Sequence, residues 1–261
     1  MMKFLDAIDQ KIRRSFSDAA IQYDVLTSLH KEIGRELLKQ CVQEPFDSIL
    51  DIGMGTGWLT GKIKFYFPEA CVAGIDFAEG MVVHAKNQGE PFSIIQADAR
   101  ALPFLKEQFD CILSNLAFQW VCPLEDGFKE CAAVLKPGGQ LRFTMFGFNT
   151  MDELFDSLEA TSEGRKVSVR RLPSTEDVRR ALMNAGFSDF VLDYERIKVH
   201  FPSMFDLLKW SKSIGANMLS KDVYIGKDWL HRANEFYQKK YHDRFGVGST
   251  FEVIWVKAVK I

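Results

Sequence analysis

The chain has 261 residues, of which 47% are apolar and 26% charged, with a formal net charge of −2. That length and composition suit one large α/β domain with a sizeable core, and no run reaches the ~18 apolar residues that a membrane span requires. Near-neutral charge gives no global pull toward nucleic acid, so any anionic partner must find a local basic patch.

The N-terminus, "MMKFLDAIDQKIRR", alternates charged and apolar residues and lacks the apolar stretch and cleavage site of a signal peptide, which points to the cytoplasm. Next, "SFSDAAIQYDVLTSLHKEIGRELLKQ" repeats apolar residues at spacings of three and four, so 1–44 read as a helical lid. Five cysteines (Cys41, Cys71, Cys111, Cys122, Cys131) form no C-x-x-C pair and read as reduced, small apolar residues.

From 48 to 147 the runs "SILDIG", "CVAGID", "FSIIQAD", "FDCILSNL" and "QLRFTMFG" alternate with helical patterns at 57–67, 79–87 and 124–135. This alternation predicts a doubly wound, mostly parallel sheet, with 45–150 as its binding core. "KPGG" stops the third of these helices, because Pro137 cannot continue it. The C-terminal half, 151–261, begins with a helix over 151–160 and a basic stretch, "SEGRKVSVRR". In "PSTEDVRRALMNAGF", Ser174 or Thr175 caps a helix that Gly186 ends. The strand "FVLDYERIKVHF", two helices inside 203–244 and the strand "TFEVIWVKAVK" complete one domain, with the helices as lid insertions over a seven-stranded sheet.

In an open parallel sheet ligands bind at the carboxyl ends of the strands, and here those ends carry acids. Strand one ends in "LDIGMGTG", with Asp51 beside Gly53, Gly55 and Gly57. A dinucleotide turn, G-x-G-x-x-G, would need glycine where Trp58 stands, which disfavours a nicotinamide cofactor. Asp76, 19 residues past Gly57, is placed for ribose hydroxyls, and Asp98, one strand later, for an exocyclic amine. Bare backbone at the glycines admits an adenosyl group and its tail, with Asp51 for an ammonium. Adenosine joined to a zwitterionic amino acid describes S-adenosylmethionine.

At these residues the sequence resembles the class I S-adenosylmethionine-dependent methyltransferases. The D-x-G-x-G-x-G turn, the acid of strand two, the "DA" pair at 98–99 and "LKPGG" all match, with Met54 where a cysteine is common. The resemblance implies an antiparallel last strand and adds Phe77, Met81, Ala99 and Ser114 to the cofactor-binding residues, with no metal. A closer resemblance, over nearly the whole chain, is to the malonyl-acyl-carrier-protein O-methyltransferase family of biotin synthesis. It rests on "SFSDAAIQYD", "SNLAFQWV", "FTMFGFNTMDEL", "LLKWSKSIGAN" and "TFEVIWVKA"; "WS" at 210–211 departs from the family's "SL".

This closer resemblance implies methyl transfer to the carboxylate of a malonyl thioester on acyl carrier protein. Tyr23 is then expected on the cofactor's carboxylate and in the catalytic set, with Asn115, Gln119 and Trp120 at the reaction face. Phe118 and Trp120 are candidate apolar walls, and Arg142 or Arg14 candidate donors to the substrate carboxylate. The acidic carrier would find Arg165, Lys166, Arg170, Arg171, Arg179 and Arg180. Neither a nucleic-acid nor a membrane partner is expected. The alternative is another small-molecule acceptor, a carboxylate or a quinone-type carbon. A nucleic-acid amine methyltransferase would carry N/D-P-P-Y/F where Ser114, Asn115, Leu116 and Ala117 stand.

Overall fold

The computed structural model describes residues 7–89, 91–165, 167, 171–216 and 226–261. Strands β1 (Ser48–Ile52), β2 (Cys71–Asp76), β3 (Ser93–Gln96), β4 (Phe109–Asn115) and β5 (Leu135–Phe146) appear in the order the sequence predicts. They are followed by β6 (Asp189–Phe201), a two-residue β7 (His242–Asp243) and β8 (Gly246–Val259). The sheet order is β3-β2-β1-β4-β5-β8-β6, with β7 pairing only β8, so the sheet has eight strands rather than seven. All pairings from β3 to β5 are parallel, and β8 runs antiparallel to both neighbours.

Successive residues of the central strands feed opposite faces, as a period of two requires. Leu50, Ile52 and Ile112 join Phe118, Phe128 and Phe143 on one face. On the other, Ile49, Cys111 and Leu113 meet α2 (Ser28–Lys39) and α3 (Trp58–Tyr66) through Leu37, Leu38 and Ile63. Burial on both faces explains why these strands read as continuous apolar runs. Helix α4 (Glu79–Asn87) follows β2, and α5 (Leu124–Val134) stops just before "LKPGG". Ser174 and Asp177 form a reciprocal capping box on α7 (Thr175–Asn184), and Gly186 takes a left-handed φ of 92° after it.

The lid differs from its prediction in two respects. Helix α1 (Ala7–Leu26) begins ahead of the quoted stretch at Ser15, and the helical pattern breaks at Thr27, whose hydroxyl donates to Tyr23 O at 2.8 Å. Helix α1 lies directly on α4, where a Cβ at Gly80 would fall 2.3 Å from Ser17 O. The C-terminal insertions α6 (Asp152–Ala160), α8 (Met204–Ser213) and α9 (Lys227–Tyr241) share an apolar cluster with β8 through Leu154, Leu207, Tyr237 and Phe251. They are thus part of the body of the domain. Among the described residues, no helix is long and apolar enough to cross a membrane.

Phe118 is wholly buried, edge-on to Phe128 and Phe143 at 5.0 and 5.1 Å. It is therefore a core residue and does not wall a cavity. Phe118→Ala is expected to cost about 3–5 kcal/mol in urea unfolding. A loss below about 1 kcal/mol would contradict this placement.

Candidate active site

At the carboxyl end of β1 the chain turns through left-handed φ at Gly53 (74°), Gly55 (58°) and Gly57 (87°). The turn is anchored by Gly53 N and Met54 N, which both donate to Ile75 O at 2.9 Å. A Cβ at Gly53 would come within 2.2 Å of Ala117 Cβ, so the turn closes against the loop after β4 only with glycine there. Gly57 leads into α3 and faces Phe92, outside the two cavities that flank the turn.

The larger cavity is lined by Ile52, Asp76, Phe77, Asp98, Ala99 and Trp120, with Asp9, Ile12 and Phe16 of α1 as its cover. Its lining combines apolar residues with the acids Asp76 and Asp98, which suits a flat base and a ribose. The smaller cavity takes in Tyr23, His30, Asp51, Gly55 and Asn115. Gly53 borders both, so a single ligand can cross from one to the other beneath α1.

The acids are held at different depths. Asp76 accepts from Gly55 N at 2.9 Å and Ala78 N at 2.7 Å, and burial pushes its carboxyl up to about 6 against those bonds. Asp51 accepts from the Thr60 hydroxyl at 2.7 Å through Oδ2, while Oδ1 is buried without a partner. Burial pushes this carboxyl up to about 7, and the charge of Asp76 adds to the effect. An ammonium would satisfy the orphaned oxygen and keep the group ionised, so the residues fit the zwitterionic tail inferred from the sequence. Burial also holds the Tyr23 phenol well above its ordinary range, and it stays protonated as a donor.

Asp98 is gripped by Arg100, whose Nη2 reaches it at 2.7 Å and reaches Asp9 of α1 at 2.8 Å. Nη1 of the same side chain donates to Cys122 O at 2.6 Å. One guanidinium therefore ties the helical cover to the strand-end acid and to the loop after β4. Sequence reading missed Arg100, although its position two residues after Asp98 was a usable signal. It also missed His30, which no local pattern marks.

The structure brings together Tyr23, Asp51, Gly53, Gly55, Asp76, Phe77, Asp98, Ala99, Asn115 and Trp120 around the cavities. Four expected residues stand behind them. Met81 is buried in the α1/α4 seam with Ala20 and Ala78. The Ser114 hydroxyl donates to Ile52 O at 2.8 Å, and Gln119 Nε2 donates to Leu116 O at 2.7 Å, so both brace the loops. Gly57 is the fourth. Asn115 lines the smaller cavity with its amide engaged at both ends, donating to His30 O and accepting from the Thr144 hydroxyl, each at 2.9 Å.

The two arginines proposed for the substrate carboxylate line neither cavity. Arg142 is buried and pairs with Glu44 while donating to Gln40 O, which ties β5 to the end of α2. Arg14 is 86% exposed on α1, 3.9 Å from Asp18. Of the basic set, Lys166 and Arg170 lie outside the described residues. Arg165 and Arg180 pair with Glu163 and Asp177, Arg179 lies 3.9 Å from Glu176, and Arg171 sits 4.7 Å over the Phe148 ring.

The model of a methyltransferase-domain family matches residues 50–143, the stretch that carries the glycine turn and all three strand-end acids. Fold and site together define a class I, S-adenosylmethionine-dependent methyltransferase. The chain is 32% identical to the malonyl-[acyl-carrier protein] O-methyltransferase of Methylococcus capsulatus, over 92% of this chain and 90% of that one. It is 33% identical to the enzyme of the same name from Hahella chejuensis, over 95% and 89%. The chain belongs to the malonyl-[acyl-carrier protein] O-methyltransferase family. A solved S-adenosylmethionine-dependent methyltransferase from Thermotoga maritima shares the fold, with a TM-score of 0.58 at 19% identity over 96% of this chain and 100% of that one.

Asp51→Asn is expected to weaken S-adenosylhomocysteine binding on the order of 100-fold by calorimetry, because the ligand's ammonium loses its buried counter-charge. In the wild type the affinity should fall toward tenfold per pH unit below about pH 7, as Asp51 of the free protein protonates. The sign for stability is opposite. Folding raises the Asp51 pKa, so the unliganded protein binds the extra proton and gains stability as pH drops from 8 toward 6.5, a gain that Asp51→Asn abolishes. A flat affinity profile through this window would contradict the assignment.

Proposed function

We infer that this chain methylates the free carboxylate of a malonyl group carried as a thioester on acyl carrier protein, giving the methyl ester that enters biotin synthesis. The observation that carries the reading is about one-third identity over more than nine-tenths of the chain to relatives named for this reaction. The core alone would support any class I acceptor.

S-adenosylmethionine, when bound, supplies an electrophilic methyl group on a sulfonium. Asp51 would take its ammonium, Gly53 and Gly55 would admit its backbone, and Tyr23 would donate to its carboxylate. Asp76 would accept from the ribose, and Phe77, Asp98 and Ala99 would frame the base. A malonyl carboxylate is already ionised at neutral pH, so its oxygen can attack the methyl carbon without a general base. The electrons of the broken carbon–sulfur bond stay on sulfur, and no proton moves. The site's work is then to align the reactants and to keep water out while opposite charges cancel. Phe16 and Trp120, edge to face at 5.4 Å, close the larger cavity for that purpose.

The carrier protein is acidic, and the exposed Arg171 of the basic stretch is the group offered for docking. Arg171→Glu is expected to raise KM for malonyl-acyl carrier protein several-fold at low salt and to leave KM for malonyl-coenzyme A unchanged. Equal KM values at low salt would remove Arg171 from docking. The founding test is transfer of labelled methyl to malonyl-acyl carrier protein, with malonyl-coenzyme A and acetyl-acyl carrier protein alongside. Labelling of malonyl thioesters alone is expected, and absence of labelling with cofactor still bound would return the substrate to unknown.

A further inference from the structure

His30 lies on α2 at the seam between the cofactor side and the C-terminal half. Its ring stands 6.1 Å from Tyr23 of α1, 5.6 Å from Phe146 at the end of β5, and 6.2 Å from Trp210 of α8. The first neighbour belongs to the cover of the cofactor cavities, and the other two to the apolar cluster built by the insertions. The nucleophile must meet the methyl group at such a seam, since it enters from the half the cofactor does not fill. Asn115 holds the His30 carbonyl at 2.9 Å, so the ring is fixed relative to the sheet end.

The side chain is only 9% exposed, and Nδ1 is buried with no hydrogen-bond partner. A buried polar atom left unpaired costs about 1–3 kcal/mol, which a ligand atom could recover. The described cations lining the two cavities are already engaged. Lys31 donates to Asp24 O at 2.8 Å, and Arg100 is held by Asp9 and Asp98. A carboxylate arriving at the seam therefore meets His30 as the basic side chain with an unpaired nitrogen there.

We propose that His30 binds the malonyl carboxylate, donating from Nδ1–H of its neutral ring, and so selects a carboxylate-bearing thioester and aims it at the methyl group. The inference rests on the function proposed above and deepens it. Burial lowers the imidazole to about 4, which keeps the ring uncharged at neutral pH. A neutral donor orients the carboxylate yet leaves its negative charge available for attack. The bond weakens when the carboxylate becomes an uncharged ester, which favours release of the product.

His30→Phe keeps the aromatic packing and removes the nitrogen, and His30→Asn restores an N–H near the position of Nδ1. The expected result is a KM for malonyl-coenzyme A and malonyl-acyl carrier protein raised at least tenfold in His30→Phe and partly recovered in His30→Asn, with any rise in the S-adenosylhomocysteine dissociation constant several-fold smaller than the rise in malonyl KM. An unchanged malonyl KM, or an equal loss of cofactor affinity, would overturn the proposal. Should both variants fail to fold, the wild-type protein still decides by nitrogen NMR. With S-adenosylhomocysteine and malonyl-coenzyme A bound, the His30 Nδ1 signal should move as a hydrogen-bonded N–H, and no movement would overturn it. Wild-type methylation of a malonyl thioester is the control. Its failure removes the proposed function itself, whereas its success with unaltered variants removes only His30.

Discussion

A carboxylate sunk at the end of a central strand with one oxygen unsatisfied is the constraint around which the site is arranged. Asp51 sits in β1, flanked by β2 and β4, and its Oδ1 is buried with no protein partner. Thr60 supports the other oxygen, and the glycine turn leaves the approach open. Such a group costs folding free energy in the unliganded protein, and it remains only because the surrounding sheet is buried on both faces and can bear the cost. The ammonium proposed for it would reverse that cost on binding. Ligand binding and stability are thus coupled at one oxygen atom.

The cover depends on the same region. Helix α1 has few buried residues of its own and rests on α4 through the close contact at Gly80. Polar links then set its position over the cavities. Arg100 joins Asp9 to Asp98 at one end, and at the other Trp210 Nε1 donates to Leu26 O at 2.8 Å. The first link passes through an acid proposed to touch the cofactor, and the second through a helix of the insertions. The cofactor side and the insertions therefore both hold the same helix, and near the end held by Trp210 the glycine turn adds a bond from Thr56 Oγ1 to Asp24 Oδ1 at 2.9 Å.

Much of this was legible in the sequence because the signals are local. Five strand positions, the stop at "LKPGG", the Ser174 cap and the three strand-end acids follow from periodicity and turn chemistry within a few residues of each. What failed depends on partners far along the chain. Arg142 reads as a free cation until Glu44, 98 residues away, is brought against it. Phe118 reads as a wall until Phe128 and Phe143 surround it, and the Ser114 hydroxyl reads as free until Ile52 O takes it. His30 went unnoticed for the same reason, since its surroundings come from α1, β5 and α8. Polar residues on strand ends are ambiguous between binding and bracing, and only the tertiary arrangement separates the two.

The charge states in the smaller cavity bear on the chemistry as a set. Burial holds the Tyr23 phenol protonated, keeps the His30 ring neutral and leaves Asp51 balanced near neutral pH until a cation arrives. A site built for proton transfer would hold an acid and a base near each other with pKa values close to the working pH. Here the phenol and the imidazole are displaced in opposite directions away from neutrality, so neither exchanges protons readily at pH 7. That arrangement suits a displacement in which an anion and a sulfonium cancel and no proton changes hands. For the carboxylate acceptor proposed above no general base is required, and the protein's contribution would be burial, alignment and, with the role proposed for His30, an uncharged donor.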